Sequence, residues 1–104
     1  EDYQGAISDY TKAINIDPDY RNAYYNRAIA KDQLEDYQGA ISDYTKAIKI
    51  DPDYRSAYLN RGIAKSNLGN ETGACLDYKR AIKLGSRSTE TWLNTEAGAW
   101  CRDM

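Results

Sequence analysis

The apolar residues of this chain follow the period of about 3.6 residues that marks an amphipathic helix. In the middle of the chain they fall on one helical face, whose members are Ala40, Ile41, Tyr44, Ala47 and Ile48. Asp51-Pro52 ends this helix, because a residue that precedes proline is pushed out of the α region. A second apolar set then predicts another helix: Ala57, Tyr58, Leu59, Ile63 and Ala64.

This two-helix pattern is a repeat. Residues 35–68 match residues 1–34 at 28 of 34 positions, and residues 69–102 match residues 35–68 at 9 of 34. A fixed period of this length indicates an array of identical units, and drift at one end is typical of a capping repeat. The predicted helices are Tyr3–Ile16, Asn22–Leu34, Tyr37–Ile50, Ser56–Leu68, Thr72–Leu84 and Ser88–Arg102. Short joints favour antiparallel neighbours.

The turns between these helices differ in one respect. Gly69 follows the fourth helix and can adopt a positive φ at little cost, whereas Glu35 holds the equivalent place after the second helix. We therefore expect the turn at Glu35 to be the more strained of the two.

The small and aromatic residues resemble the pattern of the tetratricopeptide repeat, and the match covers essentially the whole chain. They are Tyr24, Ala28, Ala40, Tyr44, Ala47 and Pro52, then Tyr58, Gly62, Ala74, Tyr78 and Ala81, with Trp92 in the place of Tyr24 and Tyr58. The resemblance implies an all-α, right-handed solenoid of antiparallel helix pairs, similar to bacterial tandem arrays. It would hold about two and a half repeats plus a C-terminal capping helix.

The resemblance also implies that residues 1–104 form a single domain. Residues 1–16 would be the second helix of a partial repeat, 22–50 and 56–84 two repeats, and 88–102 the capping helix. The chain begins in mid-repeat and without Met, so we expect it to be part of a longer protein. Two positions of the repeat unit depart from the family. Arg27, Arg61 and Thr95 replace its usual leucine, and Lys31 and Lys65 replace an aromatic residue.

Composition argues against several classes of function. The chain has 14 basic and 16 acidic residues, a net charge of −2, and no histidine. A nucleic-acid or anionic-membrane surface normally needs a basic excess, so we expect neither partner. The sequence has no phosphate loop, no metal-ligand spacing and no histidine to activate Ser42 or Thr45. We therefore expect neither an enzyme nor a cofactor.

The family resemblance implies that the first helix of each unit lines a concave groove for a peptide. Asn26, Asn60 and Asn94 recur there at intervals of 34 residues. A carboxamide both donates and accepts, so such a ladder can hold the backbone of an extended segment. The alternative is that each asparagine bonds only a neighbouring side chain. The predicted peptide-binding residues are Asn26, Asn60, Asn94, Tyr25, Leu59, Leu93, Asn22, Ile29 and Ile63. The resemblance places these further residues on the same concave side: Asp32, Gln33, Ser56, Ser66, Asn67, Glu90 and Ala97.

Two other ligand modes can be weighed from the residues. Some family members grip acidic C-termini of heat-shock chaperones with basic residues at the places held here by Ser56 and Asn60, so we do not favour that ligand. Arg27 and Arg61 could grip an acidic ligand as well. We favour structural ion pairs with Asp43 and Asp77, each 16 residues further on.

Cys75 and Cys101 lie on helices that should run antiparallel. We favour two reduced thiols that fill small spaces, with a disulfide as the alternative. Reduced thiols suit a cytoplasmic protein, whereas a disulfide implies an extracytoplasmic, oxidising compartment.

The first helix has an apolar face with no preceding helix to cover it: Ala6, Ile7, Tyr10, Ala13 and Ile14. Such a stripe usually finds a partner, which would be either repeats that precede this segment in a longer protein or another copy of this chain. Self-association through this N-terminal helix, which would build a homo-oligomer or a longer superhelix, is thus the second function we consider beside peptide binding. The sequence does not identify the partner.

Overall fold

A computed structural model describes residues 2–104, and every regular element within that range is an α-helix. There are seven in the described residues: α1 Tyr3–Ile16, α2 Arg21–Gln33, α3 Tyr37–Ile50, α4 Arg55–Asn67, α5 Glu71–Lys83, α6 Arg87–Leu93 and α7 Ala99–Arg102. Each helix packs mainly against its neighbours in sequence, which gives an elongated body of 43 × 25 × 20 Å. The first five helices lie within one residue of their predicted bounds.

Local chemistry sets the helix ends. Asp36 caps α3 through its carboxylate, which accepts from the backbone N–H of Gly39, and Asn70 caps α5 in the same way. After α2 the chain turns at Glu35, whose φ of 61° is the only positive one among the described non-glycine residues. Gly69 has a φ of 83° at the equivalent place. The expected strain at Glu35 is confirmed, because a side chain is disfavoured in this region.

The core consists of two clusters in which small residues allow helices to approach and a tyrosine ring fills the gap. Tyr44 is fully buried against Ala28, Ala40 and Ala57. The second cluster repeats the arrangement with Tyr78 and Ala74, and adds Cys75 and Cys101. A Cβ at Gly62 would press on the Tyr78 ring, which explains why glycine replaces the alanine of the earlier repeat there.

The two unusual arginines join three helices each. Arg27 forms a two-pronged ion pair with Asp43 of α3, at 2.8 Å for both contacts, and Nη1 donates to Thr11 of α1 at 3.1 Å. Arg61 pairs in the same way with Asp77 of α5 and Thr45 of α3. Lys31 and Lys65 contact the same two carboxylates at 3.0 and 3.1 Å. The structural ion pairs are thus confirmed.

The prediction of one helix over residues 88–102 is wrong. α6 ends at Leu93, the chain turns through residues 94–98, and α7 follows. The turn is closed by Thr95, whose hydroxyl donates to the Trp92 carbonyl, and by Gly98, where any side chain would collide with the backbone of Trp92 and Leu93. Sequence periodicity missed the break because no proline marks it.

The turn changes which residues of the last segment reach α5. Cys75 lies eight residues before the end of α5, or roughly 12 Å along its axis, whereas a straight helix from Arg87 would carry Cys101 roughly 21 Å back. The turn removes this overshoot. In the structure Cys75 and Cys101 form a disulfide with their Cα atoms 5.3 Å apart, so the expectation of two reduced thiols is wrong.

Candidate functional site

Two adjoining hollows lie on the side of the array presented by α2, α4 and α6. The first has a volume of about 340 Å³, and we call it the acidic hollow. Its lining comes from α2, α3 and α4: Ile29, Asp32, Gln33, Tyr37, Tyr44, Asn60, Ile63 and Asn67. The buried ring of Tyr44 forms part of the lining, and amide side chains surround it. The hollow therefore offers hydrogen-bonding groups as well as apolar contact.

The second hollow, which we call the aromatic hollow, also has a volume of about 340 Å³. It is lined by α4, α5 and α6: Leu59, Ile63, Tyr78, Ser88, Thr89 and Trp92. None of these described residues carries a charge. Ile63 lines both hollows and is 46% exposed, although it is a large apolar side chain. The two hollows together, joined at Ile63, are called the groove below.

The hollows are successive copies of one feature. Ile29 and Tyr44 of the acidic hollow correspond, 34 residues on, to Ile63 and Tyr78 of the aromatic hollow. The acidic hollow includes the charged Asp32 and the aromatic hollow includes the apolar Leu59, and both positions changed between the repeats. Asp32 corresponds to Ser66, and Tyr25 corresponds to Leu59. One repeat unit has thus produced a polar and an apolar version of the same surface.

Asp32 has an unusual environment. Its Oδ2 accepts a hydrogen bond of 2.5 Å from the Tyr44 hydroxyl, while its Oδ1 is buried and accepts none within residues 2–104. Burial raises the pKa of the Asp32 carboxyl, and the bond from Tyr44 offsets part of the rise. Burial and the adjacent Asp32 also raise the pKa of the Tyr44 hydroxyl, which therefore stays protonated as a donor.

Three cations of α2 and α4 are already engaged by carboxylates of the array. Lys31 contacts Asp43, and Lys65 contacts Asp77. Hydrogen bonding to Asp43 is the main reason that the pKa of Arg27 is raised. The negative charge of Asp32 is therefore not offset by a cation among the side chains that line its hollow.

The structure brings only some of the predicted peptide-binding residues together. Ile29, Ile63 and Asn60 line the acidic hollow, and Leu59 lines the aromatic hollow. Tyr25 packs on the rings of Tyr44 and Tyr54, and its hydroxyl accepts a hydrogen bond of 2.8 Å from Asn60 Nδ2. Burial raises the pKa of the Tyr25 hydroxyl, which keeps it protonated.

The remaining predicted residues lie outside both hollows. Asn22 is exposed and accepts a hydrogen bond of 3.4 Å from the Tyr54 hydroxyl. Asn26 is half-buried on α2, and Asn94 is exposed just past the end of α6. Leu93 packs against the cluster around the disulfide. The proposed ladder of three asparagines therefore has Asn60 alone in the groove, and there it already donates to Tyr25.

Tyr44 and Trp92 line the hollows but were not predicted on the concave side. Asp32, Gln33 and Asn67 were expected on that side but were not selected as binding residues, and they line the acidic hollow. A signal for some of them was present in the sequence. Residues 1–34 and 35–68 differ at six positions, and four of the six fall on the predicted groove side of the first helix: 22/56, 25/59, 32/66 and 33/67. Changes confined to that side indicate that the two repeats present different surfaces to a ligand.

Within residues 2–104 no helix is both long enough and apolar enough to span a bilayer. That range also has no cluster of three or more cysteine, aspartate or glutamate side chains that could hold a metal ion.

Comparison with known families gives matches along most of the chain. Models described as tetratricopeptide repeat match residues 22–54 and 56–84, and one described as TPR repeat matches residues 1–34. No curated protein matched the chain.

Solved structures show the same architecture. The Arabidopsis OM64 TPR domain is 31% identical with a TM-score of 0.84, over 97% of this chain and 81% of that one. The first TPR domain of Spaghetti (RPAP3), bound to the HSP90 peptide SRMEEVD, is 33% identical with a TM-score of 0.81, over 97% of this chain and 75% of that one.

MamA is 28% identical with a TM-score of 0.80 over 86% of this chain, which spans about half (53%) of the MamA chain. Proteins of this architecture are generally interaction modules, and several neighbours are solved with bound peptides. The helix pairs, the family matches and these neighbours lead to one conclusion: the chain belongs to the tetratricopeptide repeat family.

Proposed function

We propose that this chain is a non-catalytic module that binds an extended or helical segment of a partner protein in the groove. The observation that carries the proposal is the pair of adjoining hollows of about 340 Å³ each, on the side lined by α2, α4 and α6. Hollows of this volume accept single side chains, and two in succession suit a segment that places side chains at intervals.

The chemistry of the groove supports a peptide rather than a small solute. Asn60, Asn67 and Gln33 can donate to and accept from peptide groups, while Ile63 and Leu59 offer apolar surface between them. Bound peptides in the RPAP3 domains support the same use of the fold.

The peptides in those neighbours, SRMEEVD and SGPTIEEVD, are acidic at their C-terminal ends. Here Ser56 and Asn60 hold the places where basic residues would be required, and Lys31 and Lys65 are engaged by buried carboxylates. We therefore do not propose an acidic tail as the ligand.

A solution library of fluorescent heptapeptides would test binding, with fluorescence anisotropy as the readout. For a peptide that binds, Asn60→Ala should weaken affinity by roughly 1–3 kcal/mol, because a buried polar partner loses its bond. Asn15→Ala on exposed α1 removes the same amide away from the groove and should leave affinity unchanged. Equal affinity of both variants would reject Asn60 as a binding residue.

A second candidate function, self-association through α1, is favoured by a different observation. Ala6, Tyr10 and Ala13 are partly exposed, whereas their counterparts Ala40, Tyr44 and Ala47 are fully buried. A second copy could cover this face. Light scattering should then give a mass that grows with concentration and falls to the monomer in Tyr10→Glu. A monomeric mass at high micromolar concentration would reject this candidate.

A further inference from the structure

The acidic hollow contains a carboxylate that is only half satisfied. Asp32 Oδ2 accepts from Tyr44 at 2.5 Å, and the buried Oδ1 has no hydrogen-bond partner in the described chain. A buried carboxylate oxygen without a donor is costly, so a group that supplies N–H donors there is favoured. Since a carboxylate turns readily about its Cβ–Cγ bond, either oxygen can face an incoming group.

Charge decides which donor fits best. Asp32 is the only charged residue among the described residues that line either hollow. Lys31 of α2 and Lys65 of α4 are held by Asp43 and Asp77. A lysine or arginine side chain from a partner would therefore meet an uncompensated negative charge, whereas a glutamate would be repelled.

The neighbouring hollow sets a second requirement. The aromatic hollow is lined by Leu59, Ile63, Tyr78 and Trp92, together with Ser88 and Thr89, and none of these described residues carries a charge. The Trp92 ring packs edge-on against Tyr78 at 5.3 Å between centroids. Apolar and aromatic lining of this kind favours a large apolar side chain.

The two hollows share Ile63, so a single short segment can reach both. We propose that the partner segment carries a lysine or arginine that enters the acidic hollow at Asp32 and, next to it, a large apolar side chain that enters the aromatic hollow. This inference rests on the proposed peptide-binding function and names the chemistry of its ligand. It assigns this groove a charge preference opposite to the acidic peptides named for the RPAP3 domains.

The test uses fluorescein-labelled heptapeptides in which one position is Arg, Lys, Gln or Glu and a second, at a spacing of one to four residues, is Leu, Trp or Ala. SRMEEVD serves as the acidic comparison. Arg or Lys combined with Leu or Trp should bind tightest. Replacement of the basic residue by Gln should cost about tenfold or more in affinity, the size expected for a charged hydrogen bond.

Matched variants locate the effect. Asp32→Asn should lose about tenfold or more for the basic peptides and nothing for the Gln peptides. Asp9→Asn removes one negative charge from the exposed surface of α1 and should change affinity less than about twofold. Ile63→Ser alters an exposed wall common to both hollows, so it should weaken the Leu and Trp peptides without unfolding the chain.

Three results would overturn the inference. If Glu peptides or SRMEEVD bind as tightly as Arg peptides, or if Asp32→Asn behaves like Asp9→Asn, the charge preference is wrong while groove binding stands. If the protein raises the anisotropy of no peptide in the library, both the proposed peptide-binding function and this inference fail. Preference for Arg or Lys that is lost only in Asp32→Asn supports the inference.

Discussion

Helices α1 and α3 have the same sequence at every position except one, Asn15 against Lys49, yet they bury different surfaces. α3 packs between α2 and α4, whereas α1 packs mainly against α2. As a result Tyr44 is fully buried and Tyr10 is partly exposed, and Asp43 is buried in an ion pair while Asp9 is exposed.

On the face where both helices have a following helix beside them, α1 and α3 make the same contacts. Thr11 of α1 accepts a hydrogen bond from Arg27, and Thr45 of α3 accepts one from Arg61, at 3.1 and 3.2 Å. The same residues thus make the same contacts wherever the neighbouring helix is present. The comparison teaches that in this array burial depends on adjacent helices and not on a helix's own sequence.

The largest expected difference concerns the two tyrosines. Tyr44→Ala should cost about 3–5 kcal/mol of unfolding free energy, because it leaves a cavity among Ala28, Ala40 and Ala57. Tyr10→Ala, the same change in the same local sequence, should cost about 1 kcal/mol. Urea unfolding followed by circular dichroism measures both. Equal costs would show that α1 is covered in solution, which would support self-association.

Helix α5 is the counterpart of α1 and α3 near the C-terminus and extends the comparison to that end of the array. It is covered by α6 and α7, which the Cys75–Cys101 disulfide ties to it over a separation of 26 residues. Reduction, or a Cys75→Ser and Cys101→Ser double variant, should cost about 3–4 kcal/mol through the larger freedom of the unfolded chain. Urea unfolding with and without reductant measures this.

Intact mass under non-reducing conditions provides the control for that experiment. A disulfide gives a mass two hydrogens below that of the chain with two thiols, and a mass equal to the latter would contradict it. An oxidised pair in protein taken from its native source would support an extracytoplasmic location.

The two aspartates should differ by a smaller amount. Asp43→Ala leaves Arg27 and Lys31 without their partner and should cost about 3 kcal/mol, because the pair is largely buried. Asp9→Ala should stay within about 0.5 kcal/mol. Thermal unfolding of the two variants compares them. If Asp43→Ala is as mild as Asp9→Ala, the arginine contributes packing rather than charge.

The smallest expected effect is that of Asp32→Asn on stability. Because the pKa of Asp32 is raised in the folded state, the charge disfavours folding at neutral pH. The folded state holds the proton more tightly, so the stability contributed by protonated Asp32 is present at low pH and is lost as pH rises through the folded pKa.

Asp32→Asn should therefore raise the melting temperature at pH 7 by a few degrees at most, on the order of what 1 kcal/mol or less produces. The gain should vanish at pH of about 3, well below the ordinary aspartate pKa of about 3.9, where the carboxyl is largely protonated in both states. Asp32→Ser, which copies the next repeat at Ser66, is the matched variant. A gain that persists at low pH would contradict this account.

The fold could be predicted from the sequence because it depends on residues that recur. Ala40, Tyr44 and Ala47 are repeated at Ala74, Tyr78 and Ala81, and the Arg27–Asp43 pairing is repeated at Arg61–Asp77, so each was available twice. The break after Leu93 could not be predicted in this way, because it depends on tertiary contacts of Gly98 and on the disulfide between Cys101 and α5.

The candidate site was harder to predict for the opposite reason. The ladder hypothesis selected residues that recur, such as Asn26 and Asn94, whereas Asp32 stands out because Ser66 replaces it in the next repeat. The positions that differ between the repeats are the ones that distinguish the two hollows of the groove. Which of them lie together depends on how α2, α3 and α4 meet, and that is not visible in a one-dimensional pattern.

Arg27 contacts α1 and α3 at once, and Arg61 does the same for α3 and α5. Unfolding any one helix pair therefore breaks contacts to the helices on both sides of it. A partly unfolded chain, in which folded and unfolded repeats adjoin, is for this reason unfavourable. Melting should then proceed as a single concerted block rather than by peeling from one end. A partner that stiffens α2 or α4 would protect backbone amides of α1 and α5 from hydrogen exchange as well.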